Sequence, residues 1–179
     1  MSVQTSPFLV LVDIARRSRA LAAGLPAQEE AVELWNGIGF SLAGQRYVAP
    51  MGEVMEILHV PRYTQVPGVE HWMCGVANVR GRLLPILDLC HFFNLPRTTS
   101  IRDKRVLVVE NDDILSGLIV DSVQGMQYFA VDNYSPQAPV PNESMASFVK
   151  GAYLKNEELW NVFSTVSLTE DDRFLDVSA

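Results

Sequence analysis

GVANVRGRLLPILDL, residues 75 to 89, decides how this chain is read. Two apolar runs flank Arg80, Gly81 and Arg82, and buried arginine is rare unless it is paired. GVANV carries apolar and β-branched residues and reads as a strand. LLPIL reads as its returning partner. RGR is then the turn between them, with Gly81 supplying the backbone freedom that a tight reversal needs. Pro85 cannot donate to a ladder, so an edge or an irregular position is expected for it. Asp88 stands where it can cap a short helix over LCHFF. The arginines therefore belong to a hairpin tip rather than to a core.

The same punctuation continues on both sides. IGFSL (38–42) and RYVAP (46–50) read as strands around a short turn. MGEVMEIL (51–58) has Met51, Val54, Met55 and Leu58 at a spacing that fits about two helical turns. RVLVVE (105–110) and ILSGLIV (114–120) form a hairpin around Asn111, Asp112 and Asp113. Their nearly continuous apolar character marks central strands. VQGMQYFAV (123–131) is another strand, with Gly125 at a bulge or close approach. FVKGAYL and ELWNVF form a last hairpin around KNEE. Ser164 or Ser167 starts a terminal helical turn, and Ser167 with Glu170 fits a capping box. NLPRTTSIRDKR (94–105) reads as a solvated polar loop. Ahead of all this, residues 8–23 form an amphipathic helix stopped by Gly24 and Pro26, and AQEEAVELW (27–35) suits a second short helix. Eight or nine short strands joined by tight turns predict an all-β barrel or sandwich. The absence of βαβ alternation argues against a Rossmann-type sheet.

Bulk properties narrow the function. A chain of 179 residues with 48% hydrophobic content can bury a core unaided. Its net charge of −7 opposes a nucleic-acid groove as the main function. The N-terminal apolar run lacks preceding basic residues and meets Asp13, so it does not read as a signal peptide. No apolar segment approaches membrane-spanning length, so no direct membrane insertion is expected and a cytoplasmic location is. Two cysteines, Cys74 and Cys90, make no disulfide framework.

Catalytic motifs are scarce. Phosphate-cradling glycine patterns, GxSxG and HExxH are all missing. The best metal candidates are His71 with Cys74, and Cys90 with His91. Adjacent residues such as Cys90 and His91 point apart on a strand or a helix, which works against one shared ion. His59 has no evident partner. The acidic pairs Asp112/Asp113, Glu157/Glu158 and Asp171/Asp172 fit solvated turns or the tail. A metal-dependent enzyme using His71, Cys74 and Cys90 is the rival reading, and a barrel that binds nucleic acid is a second.

GVANVRGRLLPILDL closely resembles the signature of CheW-type chemotaxis adaptor domains. Gly75, Asn78, Arg80, Gly81, Pro85, Asp88 and Leu89 stand where that pattern has them. GLIVDSV (117–123) and FVKGAYL (148–154) look like the second and third motifs. The resemblance runs over about residues 38–168. Asn161 departs from the usual apolar run, which puts the burial of that strand in question. The N-terminal stretch is similar to that of the PilI-type adaptors of pilus (twitching-motility) chemosensory systems.

The resemblance implies two intertwined five-stranded barrels sharing a core, with short helices and an N-terminal helical extension. It implies residues 1–36 as extension, 37–170 as the adaptor domain and 171–179 as a tail. It further implies a cytoplasmic scaffold, without catalysis or cofactor, recruited to membrane-associated chemosensory arrays. Its partners would be the cytoplasmic tip of a chemoreceptor and the regulatory domain of a CheA-type histidine kinase. Carried over by position, the interface residues are Val54, Glu56, Arg80 and Gly117. Arg82 lies where the family varies. Gly75, Asn78, Gly81, Pro85 and Asp88 are implied to be structural.

Overall fold

A computed structural model describes residues 7–21, 32–97, 99–137 and 139–179. The chain divides into two compact units, Met1–Val32 and Glu33–Ala179. In the first unit, helix α1 spans Pro7–Leu21. Phe8, Leu11, Val12 and Ala15 share one face at helical spacing, and Arg17 pairs with Asp13 across one turn at 2.6 Å. Residues 22–31 lie outside the described residues, and with them most of the expected second helix. Its end, Leu34 and Trp35, is strand.

Among the described residues the second unit holds eleven strands, two more than the upper sequence count. They are β1 (Leu34–Leu42), β2 (Gln45–Pro50), β3 (Glu56–His59), β4 (Met73–Val79), β5 (Arg82–Asp88), β6 (Arg105–Asn111), β7 (Ile114–Val120), β8 (Ser122–Ala130), β9 (Tyr134–Ser135), β10 (Val149–Lys155) and β11 (Glu158–Phe163). They form a six-stranded sheet ordered β8-β1-β2-β11-β10-β9 and a five-stranded sheet ordered β3-β6-β7-β5-β4. The strands β3 to β7 are inserted between β2 and β8, so the first barrel is completed only after the second has been made. This is the intertwining that the family resemblance implied, with the two-residue β9 as an added sixth strand.

The two sheets repeat one plan. Each pairs its strands antiparallel, apart from one parallel pair, β2 with β11 in the first and β7 with β5 in the second. Register makes Val79↔Arg82 the equivalent of Lys155↔Glu158, and Ile86↔Gly117 the equivalent of Val162↔Val48. Both closing strands run into a capped helix. Asp88 accepts from the amides of Cys90 and His91 at the start of α2 (Leu89–Phe92). Ser164 accepts from the amide of Ser167 at the start of α3 (Thr165–Thr169). Ser167 is thus inside that helix and not its cap.

Alternation along the central strands explains their continuous apolar runs. Leu107, Val109, Leu118 and Val120 face a core shared with Phe40, Tyr47 and Phe163. Val106, Val108 and Ile119 face the opposite way, into the second barrel with Leu84 and Ile86. Val48 and Val162 fill the first barrel with Phe129, Tyr153 and Trp160. A strand buried on both faces leaves no polar alternation to read.

Several expectations are corrected here. Residues 51–58 are a turn followed by β3, not helical turns. Gly52 adopts φ +102°, Met55 N–H donates to the Val108 carbonyl at 2.8 Å, and the Glu53 carboxylate is engaged with α3, accepting from Thr165 N–H at 2.7 Å. Pro85 lies in an interior strand, not at an edge. It faces Val76, whose N–H and C=O are both taken by Thr64, so no bond between β4 and β5 is lost there. Asn161 is 1% exposed and donates to the Arg46 carbonyl at 3.1 Å, so the polar residue does not expose its strand. The segment after Asp171 is not a mere tail, because Phe174 of α4 (Asp172–Leu175) enters the shared core.

Candidate docking groove

Val79-Arg80-Gly81-Arg82 closes the β4–β5 hairpin with φ of +52° at Arg80 and +83° at Gly81. Two positive φ values make the tight reversal whose twist matches the flanking strands. Asn78 Oδ1 braces it by accepting from Gly81 N–H at 2.9 Å. The turn throws both arginines across the mouth of the second barrel. Arg80 reaches β3 and pairs with Glu56 at 2.5 Å, and Arg82 reaches β6 and pairs with Glu110 at 2.6 Å. The hydrogen bond that Arg82 donates to the Glu110 carboxylate holds its guanidinium above its ordinary pKa.

Between these ion pairs lies an open groove of about 300 Å³ with Leu84, Val108, Val79, Leu115 and Met55 along it. Leu84 and Val108 are buried, whereas Met55 is 56% exposed. An apolar channel rimmed by two Arg–Glu pairs suits a helical or extended apolar segment, with the charges fixing its register. Such rim pairs add little to stability, since they are exposed.

The four carried-over interface residues separate. Glu56 and Arg80 meet in the groove. Val54 does not line it and packs behind, against the shared core. Gly117 is buried, and a Cβ there would lie 2.9 Å from Ile86 Cδ1 and Val106 Cγ1 and 3.1 Å from Leu84 Cδ2. Gly117 does not line the groove; it makes room for Leu84, which forms part of the groove floor. Sequence reading missed Met55, Leu115 and Glu110. The helical reading of 51–58 hid Met55, while Glu110 becomes visible only once β6 is placed beside β5 through β7.

A second polar feature was also missed. Lys104, expected in a solvated loop, is 3% exposed. Its Nζ donates to Asp88 Oδ2 at 3.1 Å and lies 3.9 Å from Asp121 Oδ1. Asp121 Oδ2 accepts from the Ala43 amide at 2.7 Å in the β1–β2 turn, so this buried cluster ties one barrel to the other. Cys90 donates to Asp121 at 3.8 Å, and burial, reinforced by both carboxylates, pushes its thiol up to about 11.

The rival metal set does not assemble. Cys90 turns into the shared core, while His91 lies with its ring 6.0 Å from that of His71. Cys74 packs against the second barrel's core. Among the described residues no three His, Cys, Asp or Glu side chains gather as metal ligands. No described helix is long and apolar enough to cross a membrane.

Two interleaved barrels presenting an ion-paired groove are the build of a docking scaffold. The chain belongs to the CheW-like domain family, whose pattern it matches over residues 36–173. It is 54% identical over 178 residues to Protein PilI of Pseudomonas aeruginosa, covering 99% of each chain. It is 32% identical over 111 residues to Chemotaxis protein CheW of Helicobacter pylori, covering 62% of this chain and 67% of that one. The crystal structure of scaffolding protein TtCheW from Thermoanaerobacter tengcongensis superposes with a TM-score of 0.68 at 26% identity, over 78% of this chain and 95% of that chain. Both resemblances drawn from the sequence, to CheW-type adaptors and to the pilus branch, are borne out.

Proposed function

We propose that this protein is a non-catalytic adaptor that couples a chemoreceptor's cytoplasmic tip to the regulatory domain of a CheA-type histidine kinase. The system it serves controls twitching motility through type IV pili, in cytoplasmic arrays beneath the membrane. The observation that carries this reading is the groove at the Arg80 turn, where an apolar floor is bounded by the Arg80–Glu56 and Arg82–Glu110 pairs. A receptor tip is a helical hairpin, and an amphipathic helix laid along such a floor would exchange water for apolar contact while its charges meet the rim. Likeness over nearly the full length to a protein named PilI supports the pilus assignment.

The test is a pull-down with the kinases and receptors of the same genome, using wild type and Arg80→Glu. Wild type is expected to retain both partners, and the variant to lose the receptor and keep the kinase. A variant that unfolds more readily than an exposed turn substitution should, or that binds both partners normally, removes Arg80 from the interface. A double variant, Glu56→Arg with Arg80→Glu, restores the pair with reversed polarity. Receptor binding that stays lost in the double variant, with the fold intact, assigns Arg80 a contact role beyond its partner Glu56.

A further inference from the structure

The two walls of the Arg80 groove differ in sign. Both arginines come from the β4–β5 hairpin, and both glutamates from the facing strands, Glu56 from β3 and Glu110 from β6. Side chains alternate along a strand, so Arg82 shares the inward face of β5 with Leu84, and Glu110 shares that of β6 with Val108. The Arg82–Glu110 pair therefore stands one alternation outside the apolar floor, at the lip of the mouth.

The pairs are lopsided. The Arg82 side chain is 57% exposed and that of Glu110 31%, and the Arg80–Glu56 pair leans the same way. The length of the arginine stem alone does not explain this. In the first barrel Glu158 holds the position equivalent to Arg82 and pairs with Arg46, and there the glutamate is the more exposed, 47% against 40%. Arg82 spends one N–H, from Nη2, on one oxygen of Glu110, and no other group of the described residues accepts from its guanidinium. A guanidinium has five N–H donors and can hold a second carboxylate through two of them. A surface that reaches this lip from outside thus meets a held guanidinium with donors to spare, and the carboxylate lies behind it.

We infer that Arg82 is a second contact residue of the groove and that it takes a carboxylate of the docking segment. The inference rests on the reading of this groove as the receptor-tip site, and it names the chemistry of the partner. That partner is a helix whose apolar row enters between the rims and whose edge carries a glutamate or aspartate facing Arg82. Charge complementarity decides this against a cationic partner, because a lysine or arginine would have to pass the guanidinium to reach Glu110. Glu110 aims the long Arg82 side chain across the mouth, so less rotamer freedom is lost on docking. Its own charge has the sign of the incoming carboxylate.

The test titrates a receptor-tip fragment onto the full chain at low and at high salt, using wild type, Arg80→Glu, Arg82→Gln and Glu110→Gln. Neither lip side chain is buried, so the thermal midpoints of the last two variants should stay at the wild-type value. At low salt Arg82→Gln is expected to weaken binding about tenfold. Glu110→Gln is expected to tighten it about threefold, since glutamine still accepts from Arg82 but no longer repels the partner's carboxylate. Both differences should shrink at high salt. The opposite signs, tighter in Arg82→Gln and weaker in Glu110→Gln, overturn the inference by showing a cation in the partner. Unchanged affinity in both, while Arg80→Glu loses the receptor, also overturns it and leaves the groove reading standing. A wild type that does not bind the fragment brings down the groove reading itself, and the inference with it. A last arm locates the carboxylate: Arg82→Glu should bind again when one particular acidic residue of the tip is changed to lysine, and recovery at no position overturns a direct contact.

Discussion

Gly75 and Gly151 are structural twins: each adopts φ +147°, each lies four residues before the end of the strand that enters a hairpin, and each faces a neighbouring backbone carbonyl. A Cβ on Gly75 would stand 2.2 Å from the Thr64 oxygen, and one on Gly151 would stand 2.7 Å from the Ser135 oxygen. Backbone cannot step aside as a side-chain tip can. Both strands carry a register shift at this place, which bends them into their barrels.

Gly75→Ala and Gly151→Ala are each expected to cost about 3 kcal/mol or more, combining an unfavourable φ with a main-chain clash. Gly44→Ala is the control. It also has a positive φ, +80°, but nothing lies within 4 Å of the added carbon, so a loss of about 1 kcal/mol is expected. Urea midpoints of the three variants give the comparison. Equal losses at all three sites remove close approach as the reason for glycine at 75 and 151.

Alkaline pH should weaken the fold through two buried groups. Burial pushes the Tyr47 hydroxyl from 10.0 up to about 12 and the Cys90 thiol from 9.0 up to about 11. Between the unfolded and folded values, the unfolded chain releases protons that the folded chain keeps. Stability therefore declines from about pH 9 to 12, and below that window both groups contribute fully. A raised pKa of this size corresponds to at most about 3 kcal/mol per group. Cys90→Ala with Tyr47→Phe should flatten the decline in thermal midpoint over that range, even though both substitutions lower stability at neutral pH. A decline that keeps its slope assigns the alkaline sensitivity to other groups.

The hairpins were legible because each is marked by local chemistry: Asn78 and Gly81 at one turn, Asn111 and Asp112 at another, and Asp88 as a cap before a short apolar helix. The groove was legible only in part. Arg80 carries a strong motif signal, but its partner Glu56 is 24 positions away and sits in a strand that the spacing of Met51, Val54, Met55 and Leu58 disguised as helix. Lys104 was misread for a related reason. It ends a basic, polar run, and nothing in that run reveals that Asp88 and Asp121 converge on it from the ends of β5 and β7. Long-range pairing, not local propensity, decides such positions.

Lys104 supplies the third prediction. It is the cation between two carboxylates at the join of the barrels, and Lys104→Met leaves Asp88 and Asp121 buried without it. Breaking a buried ion pair from one side costs about 3–5 kcal/mol. Lys104→Met is thus expected to unfold at much lower urea than Arg80→Ala, which removes only an exposed pair. Adding Asp121→Asn to Lys104→Met should recover part of the loss, because one of the two buried negative charges is then neutral. If the double variant is no better than the single, the cluster's electrostatics are not what makes Lys104 necessary.

Gly117 supplies the fourth. It has an ordinary backbone conformation, so the case for glycine is steric: Ile86, Val106 and Leu84 occupy the space a side chain would need. The first barrel solves the same crowding in reverse. There Val48 stands at the equivalent of Gly117, and Gly39 stands opposite it where the second barrel has Val108. Gly117→Ala is expected to cost about 1 kcal/mol and to push Leu84 into the groove, lowering receptor affinity several-fold while kinase binding is unchanged. Gly117→Val should be worse on both counts. Pairing it with Val108→Gly copies the first barrel's solution and should restore much of the stability, but not receptor binding, since Val108 is itself part of the floor. Separate binding curves for receptor tip and kinase domain, alongside urea midpoints, resolve the two effects. Unaltered receptor affinity in Gly117→Ala would mean that the groove tolerates displacement of Leu84, and that Gly117 serves folding alone.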